Sequence, residues 1–128
     1  MKGHAMNKYI IRSLLLVIIF AFAVDSNAQK FGNYTYFSSH QGVKYFYKVK
    51  YYKNGDTKIK WKVKNTNSYK VMAGFKSKTY TMADGSVKKL GGEAWYVRPY
   101  DEYSFISDAR LKGRLTNIEI EMKVRKEK

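Results

Sequence analysis

The stretch that most constrains the fold is Val43 to Lys64, VKYFYKVKYYKNGDTKIKWKVK. Lysines and apolar residues alternate strictly from Lys58 to Lys64. Because successive side chains of a strand point to opposite faces, this period of two predicts a strand with one apolar and one basic face. Val43 to Tyr51 repeats the pattern less regularly. The dipeptide Asn54-Gly55 lies between the two runs and is typical of a tight turn, so the stretch predicts a β-hairpin.

The length of the hairpin loop determines which residues lie opposite each other. A two-residue loop at Asn54-Gly55 would put Val49 opposite Lys60 and mix apolar and charged side chains on each face. A three-residue loop, which adds Lys53, gathers the apolar side chains on one face. It also gives Gly55 the left-handed position of a type I turn with a G1 bulge, where glycine costs least. We therefore predict the three-residue loop, with these opposing pairs: Tyr51 and Thr57, Val49 and Ile59, Tyr47 and Trp61, Tyr45 and Val63.

The same register crowds lysines onto the other face of the hairpin. Lysines directly opposite each other repel, at a cost of roughly a few tenths of a kcal/mol per pair. This face is therefore expected in water or against an anionic partner. A solvated face that deters edge-to-edge aggregation is the simpler alternative. We call it the lysine face and define it by seven residues, with Phe46 and Tyr52 interleaved: Lys44, Lys48, Lys50, Lys58, Lys60, Lys62 and Lys64.

The first 28 residues carry the pattern of a secretory signal peptide. Ser13 to Val24 is an apolar run of 12 residues, and Ser26 and Ala28 are the small residues that a cleavage site before Gln29 requires. A membrane anchor is the alternative, but a spanning helix needs about 20 apolar residues. We therefore expect a secreted or periplasmic protein with a leader over residues 1–28. Positive charge before the apolar run comes from Lys2, Lys8 and Arg12.

The part after the hairpin consists of short alternating runs separated by turns. Turn residues occur at Asn65 to Ser68, Asp84-Gly85, Gly91-Gly92 and Lys112-Gly113. The runs between them are Tyr69 to Phe75, Thr79 to Met82, Val87 to Leu90, Ala94 to Val97, Tyr103 to Ser107 and Leu115 to Val124. This spacing predicts an all-β fold, an antiparallel β-sandwich of about seven strands. Residues 29–42 are predicted to be a linker or an opening strand, and residues 43–128 the sandwich domain. The chain has no cysteine, so a hydrophobic core without disulfides has to stabilise it.

Two segments resemble fibronectin type III and related immunoglobulin-like domains. Ile59-Lys60-Trp61 is similar to the family's second strand with its buried tryptophan, and Val97 to Phe105 is similar to the stretch in which a tyrosine follows a proline and opens the sixth strand. The resemblance implies that Trp61 is a core residue and that Tyr103 hydrogen-bonds nearby backbone. It covers roughly Val43 to Val124, and such domains are mostly binding or spacer modules.

Residue types for catalysis are sparse. His40 is the one histidine after the predicted leader, and without a second histidine or a cysteine it predicts neither a metal site nor a catalytic triad. Asp101-Glu102 could form an acid pair for glycoside chemistry, but adjacent side chains diverge and a solvated turn is the better interpretation. A glycine-rich phosphate loop is absent from the sequence. We therefore predict a protein that is not an enzyme, with no cofactor, no catalytic residue and no metal ligand.

Two surfaces are candidates for binding. The lysine face would attract polyanions such as an acidic glycan or envelope lipid, and its lysines, as point charges, predict no specific nucleic acid recognition. The second surface is aromatic: Trp95 and Val97 are predicted to face inward, which leaves Tyr96, Arg98 and Tyr100 for contact with a glycan. The alternative, which we favour for these rings, is packing in the core and at the sheet edge. The resulting hypothesis is a non-catalytic secreted module that binds an anionic surface. The alternative is an accessory subunit that docks on another protein through an unpaired strand edge or the aromatic loop. If the last strand lies near the lysine face, its Glu119 and Glu121 could neutralise part of that face.

Overall fold

The computed structural model describes residues 31–106 and 110–127, which form eight strands and no helix. The predicted signal peptide lies outside the described residues. No helix long and apolar enough to cross a membrane is found in the described ranges. The strands are β1 (Thr35–His40), β2 (Val43–Tyr51), β3 (Thr57–Asn65), β4 (Val71–Met82), β5 (Val87–Leu90), β6 (Glu93–Val97), β7 (Glu102–Ile106) and β8 (Leu115–Lys126).

The strands form two antiparallel sheets that pack face to face, as predicted for a β-sandwich. In the first sheet the order is β1-β2-β3-β7. In the second sheet β4 lies at the centre. β8 pairs with one edge of β4 along the whole length of β4, and β5 and β6 pair with the two halves of the other edge of β4. The all-β prediction is therefore confirmed, with eight strands in place of about seven.

The hairpin of β2 and β3 has the predicted register. Tyr47 lies opposite Trp61 and Val49 opposite Ile59. Gly55 has a φ of 93°, in the left-handed region that glycine tolerates best. The loop is closed by two backbone hydrogen bonds, from Tyr52 N to Asp56 O (2.8 Å) and from Gly55 N to Tyr52 O (2.9 Å). The three-residue loop is therefore confirmed.

Trp61 lies at the centre of the core between the two sheets. Its side chain is fully buried, and its ring lies edge-on to Phe75 of the second sheet, with centroids 5.0 Å apart. The indole Nε1 donates a hydrogen bond to Tyr80 Oη at 2.9 Å. A second contact between the sheets runs from the Tyr45 hydroxyl, which donates to the Gly74 carbonyl at 2.5 Å. These rings are part of the hydrophobic core, and the two hydrogen bonds satisfy polar groups that burial would otherwise penalise.

The strand β4 differs from the prediction of two short runs. Tyr69 to Phe75 and Thr79 to Met82 are parts of one strand of 12 residues, Val71–Met82. A register shift against β8 lies between Phe75 and Ser77. This extra residue breaks the alternation in the sequence, but both halves of the strand still present buried side chains to the core.

The N-terminal part of the domain is an opening strand. Between the two alternatives for residues 29–42, the structure has β1 paired with β2. His40 is the last residue of β1 and lies opposite Val43, so it belongs to this strand and not to a linker. The polar, serine-containing sequence of this strand hid the one inward aromatic side chain, Phe37, which is buried against Trp61.

Candidate functional site

The lysine face lies on the outer side of the first sheet, where β2 and β3 pair. Three pairs of lysines lie directly opposite each other, as predicted: Lys44 and Lys64, Lys48 and Lys60, Lys50 and Lys58. Lys44 and Lys64 are exposed, while the other five lysines of the face are half-buried. The sheet thus brings together all seven predicted residues, and most of them have alkyl chains that are partly covered.

Aromatic rings cover these lysines. The Nζ atom of Lys48 lies 4.4 Å from the ring centroid of Tyr34, and that of Lys62 lies 4.6 Å from the same ring. Lys62 Nζ is also 5.0 Å from the ring of Phe46. An ammonium group over a ring face gains about 0.5–1 kcal/mol at an exposed site. The rings therefore hold the ammonium groups in place and offset part of their mutual repulsion.

Residues 31–34 form an aromatic segment beside β2 that the sequence did not predict. Gly32 N donates a hydrogen bond to Val49 O at 3.1 Å, which extends the edge of the sheet before β1. This places the Phe31 ring 5.5 Å from Lys48 Nζ and 5.7 Å from Lys50 Nζ. Phe31 and Tyr34 are visible in the sequence as aromatic residues, but their position over the lysines depends on the pairing of β1 with β2.

The lysine face has an acidic neighbour, which is located on β7. Of the outward positions on the four strands of this sheet, in the part that the structure describes, only Glu102 carries an acid. Its Oε1 atom lies 3.9 Å from Lys62 Nζ. The expectation that Glu119 and Glu121 could neutralise this face is wrong, because β8 belongs to the other sheet. The face therefore keeps a large excess of positive charge.

The second candidate surface lies at the end of β6 and in the loop that follows. Tyr96 is 58 % exposed and Tyr100 is 68 % exposed. Lys70 Nζ lies 5.3 Å from the Tyr96 ring, and Arg98 Nε lies 3.8 Å from Asp101 Oδ2. These side chains are exposed on either side of Arg98, and the guanidinium is already close to a carboxylate.

The inward residues of β6 lie as predicted. Val97 is buried, and Trp95 packs partly buried against the core. The Trp95 ring stacks on Tyr103, with centroids 5.4 Å apart and an interplanar angle of 27°. The Trp95 ring thus lies between the core and Tyr103, which is itself 38 % exposed, and the outer surface is left to Tyr96, Arg98 and Tyr100.

The residues considered for catalysis do not converge. Burial lowers the pKa of His40 from its ordinary value, and the positive charge of Lys76 lowers it further. Asp101 Oδ1 accepts a hydrogen bond from the backbone N of Glu102 (2.8 Å), whereas the Glu102 carboxylate lies near Lys62. The two adjacent acids therefore point to different partners. Within residues 31–106 and 110–127, no group of three or more histidine, aspartate and glutamate side chains could hold a metal ion.

Two further polar features were missed by sequence reasoning. Lys78 is fully buried on the core side of β4, where its Nζ forms an ion pair with Glu93 of β6 and lies 5.0 Å from the Phe75 ring.

A cleft of about 320 Å³ lies at the opposite end of β4 from the β6 contact. The cleft is lined by Met82, Ser86, Val87, Lys88, Arg110, Leu111 and Lys112. The Arg110 side chain also bonds Asp56 Oδ2 (3.1 Å) and covers the Tyr52 ring at 3.7 Å, so it fastens the hairpin loop.

Comparisons with known proteins add little. No protein-family model matches the chain, and no curated protein matches it. A similar solved structure is the X-ray structure of Northeast Structural Genomics Consortium target SoR45, at 12 % sequence identity and a TM-score of 0.40. The alignment covers 82 % of this chain and 85 % of the other chain. A likeness of this size supports no conclusion about function.

Proposed function

We propose that this protein is an exported, non-catalytic binding module that contacts an anionic surface through the lysine face. The sandwich would be of the immunoglobulin or fibronectin type III kind, with Trp61 as its central buried tryptophan. Export rests on the signal-peptide pattern of residues 1–28. The ligand is a polyanion, either an acidic glycan or a membrane that contains anionic lipid.

One observation carries the proposal: three pairs of like-charged side chains directly opposite each other on a solvent-facing sheet. Such pairs are destabilising in an isolated domain, and a surface that needed only solubility could interleave acids with the lysines. A polyanion would remove the repulsion. The partly buried alkyl chains and the rings of Tyr34 and Phe46 restrict the lysines before binding, which lowers the entropy cost of ordering them on a ligand.

The chemistry of the face favours a repeated charge over a single shaped anion. Lysine offers a compact charge and rotatable donors, whereas arginine grips one phosphate or carboxylate in a fixed geometry. A two-stranded array of lysines therefore fits a ligand with many acidic groups along a chain or a plane. Exposed rings such as Tyr36, which lies edge-on to Phe46 at 5.8 Å, add apolar contact beside the charges.

The decisive experiment measures retention on immobilised heparin during a salt gradient. The Lys48→Glu/Lys60→Glu variant reverses two charges at the centre of the face, and we expect it to elute at a much lower salt concentration than the wild type. The matched control is Lys88→Glu/Lys89→Glu, which changes the net charge equally but alters two exposed residues of β5. Tryptophan fluorescence verifies folding, and Lys48→Gln/Lys60→Gln serves if charge reversal unfolds the domain.

Comparison of the two charge-reversed variants distinguishes binding through the lysine face from binding through net charge alone. Equal loss of retention in both charge-reversed variants would show that only the net charge of +15 matters, and the proposal would be wrong. It would also fail if the variant in the lysine face behaved like the wild type. Sedimentation with vesicles of pure phosphatidylcholine, or of phosphatidylcholine mixed with phosphatidylglycerol, then distinguishes a lipid ligand from a glycan. Each lysine near an anionic membrane contributes about 1 kcal/mol.

A further inference from the structure

The last strand, β8, has one edge that is paired and one that is not. It is 12 residues long, LTNIEIEMKVRK, and pairs with β4 from Leu115 to Lys126. No strand within the described ranges pairs with its other edge. A strand of this length exposes a row of backbone N–H and C=O groups that can pair with another strand.

From Ile118 to Lys126 this edge has little of the usual protection against pairing. Proteins shield exposed edges with proline, with a bulge on the edge strand, or with charged side chains, including ones that point inward. β8 bulges at Thr116, where its register against β4 shifts between Asn117 and Leu115, but its residues from Ile118 onward pair with β4 without an extra residue on β8. The sequence of β8 contains no proline and no glycine. Its inward side chains are apolar: Ile118, Ile120 and Met122 are buried, and Val124 is partly buried against the core.

The outward side chains of β8 are complementary to themselves. In chain order they are two acids followed by two bases: Glu119, Glu121, Lys123 and Arg125. A second β8 that pairs antiparallel about a twofold axis at Met122 would bring Glu119 opposite Arg125 and Glu121 opposite Lys123. The twofold axis repeats both pairs, so four pairs of opposite charges face each other across the junction. Opposite charges in such cross-strand pairs are stabilising.

Neighbouring registers lack this complementarity. A shift by one residue would put the apolar face of one copy beside the charged face of the other. An axis at Ile120 would put Glu119 opposite Glu121, and an axis at Lys123 would put that residue opposite itself. Parallel pairing in register would place every charge beside its own kind. Among antiparallel arrangements with these axes, the axis at Met122 pairs every one of the four charges with an opposite one.

The apolar face gains from the same register. Ile120 would lie opposite Val124, and Met122 opposite its own copy. The paired segment from Ile118 to Lys126 would extend over about 30 Å at about 3.3 Å per residue. The existing ion pairs of these charges are on the surface, from Lys76 Nζ to Glu121 Oε2 at 3.9 Å and from Arg125 Nη2 to Glu127 Oε2 at 3.3 Å. Surface pairs of this kind contribute little, so they would not compete strongly.

We propose that β8 pairs with β8 of a second copy of this chain, antiparallel and centred on Met122, and so joins two second sheets into one continuous sheet. The partner is a second copy because the order of charges along the edge is matched by the same sequence read in the opposite direction. This inference uses no residue of the lysine face and stands independently of the proposed function.

Charge-reversed variants test the pairing. The acidic variant Lys123→Glu/Arg125→Glu and the basic variant Glu119→Lys/Glu121→Lys are each expected to sediment as monomers, because all four outward charges then repel across the axis. The wild type and an equimolar mixture of the two variants are expected to show twice the monomer mass in sedimentation equilibrium. The Lys88→Glu/Lys89→Glu control, with a net charge equal to that of the acidic variant, is expected to remain a dimer. A monomeric wild type, or dimers of either variant alone, would overturn the proposal.

Disulfide trapping tests the register. The chain has no cysteine, so a mixture of two single-cysteine variants can form a mixed disulfide only between the introduced thiols. The mixture of Glu121→Cys with Lys123→Cys is expected to form the mixed dimer rapidly, because these positions lie opposite each other. Glu119→Cys with Lys123→Cys is expected to react much more slowly, because those positions are offset by two residues. Equal rates for the two mixtures would overturn the axis at Met122. Variants of the lysine face that lose heparin retention but keep the dimer mass would show that the two proposals fail or succeed separately.

Discussion

Removal of the carboxylate beside Lys78 should be among the most damaging single substitutions in the domain. The Lys78 side chain has no solvent exposure, and the Glu93 side chain is 24 % exposed. If one partner of a buried ion pair is removed, the loss is about 3–5 kcal/mol, because a charge is left in a poorly hydrated site. Exposed pairs contribute about 0–1 kcal/mol. Since water can reach the Glu93 side of this pair, we expect Glu93→Gln to lower the free energy of unfolding by about 2–4 kcal/mol.

Lys78→Met separates the charge from the packing. It keeps a long apolar side chain against Phe75 and leaves a glutamate that water can reach, so its expected cost is at most about 1 kcal/mol. The double variant Lys78→Met/Glu93→Gln should be about as stable as Lys78→Met alone, because the stranded ammonium is gone. This makes the coupling energy of the double-mutant cycle about 2 kcal/mol or more.

Urea denaturation followed by tryptophan fluorescence measures these differences. A loss of about 2 kcal/mol would lower the Tm of a domain of this size by about 8 °C or more. The matched control is Glu102→Gln, where the carboxylate is half exposed and lies 3.9 Å from Lys62, and we expect a change below about 1 kcal/mol. If Glu93→Gln were as mild as Glu102→Gln, the Lys78 ammonium would have to be stabilised by other groups, and the reasoning would be refuted.

Three further predictions concern the turn, the core and pH. Gly55→Ala should lower the free energy of unfolding, measured in urea, by about 1–2 kcal/mol, because a Cβ there meets no atom and only the left-handed φ opposes it. The control Gly32→Ala, in open space without a positive φ, should change this free energy little. Tyr80→Phe deprives Trp61 Nε1 of its acceptor and should cost about 1–3 kcal/mol with a shift in fluorescence; an unchanged Tm would contradict the hydrogen bond. Burial lowers the pKa of His40 in the folded protein, so the unfolded chain binds the His40 proton more tightly than the folded protein does. The free energy of unfolding should therefore decrease as the pH falls from above about 6.5 through the lower folded-state pKa. His40→Gln should flatten this part of the pH profile, and an unchanged profile would exclude His40 as the cause.

The parts of the structure that the sequence predicted well depend on local rules. The hairpin register follows from a period of two and the length of one loop, both contained within Val43 to Lys64. The parts that were missed depend on residues far apart in the chain. Because Lys78 is polar, it interrupts the apolar pattern in the sequence, and the continuity of β4 was missed. Its partner Glu93 lies on another strand, so only the tertiary fold shows how the charge is paired. The acid beside the lysine face comes from β7, which reaches that position only through the strand order of the first sheet.

The aromatic segment at the start of the domain shows the same limit. Phe31 and Tyr34 are ordinary aromatic residues in the sequence, and only the pairing of β1 with β2 places them over Lys48. The composition predicted a basic surface but not how the lysines are held. The candidate site was therefore predictable as a set of residues, while its geometry depended on the tertiary fold.

The position of β4 has a consequence for how the domain assembles. Every strand of the second sheet depends on β4, and its longest partner is β8, whose Lys126 lies opposite Val71. As the chain is synthesised from its N-terminus, β2 and β3 can pair at once, since only a short loop has to close. The edge of β4 that pairs with β8 stays unpaired until this last strand has been synthesised. We therefore expect the pairing of β8 with β4 to be the slow stage of folding. Loss of β8 would leave one whole edge of β4 unpaired and remove Ile118, Ile120 and Met122 from the core, even though every side chain of the lysine face would still be present.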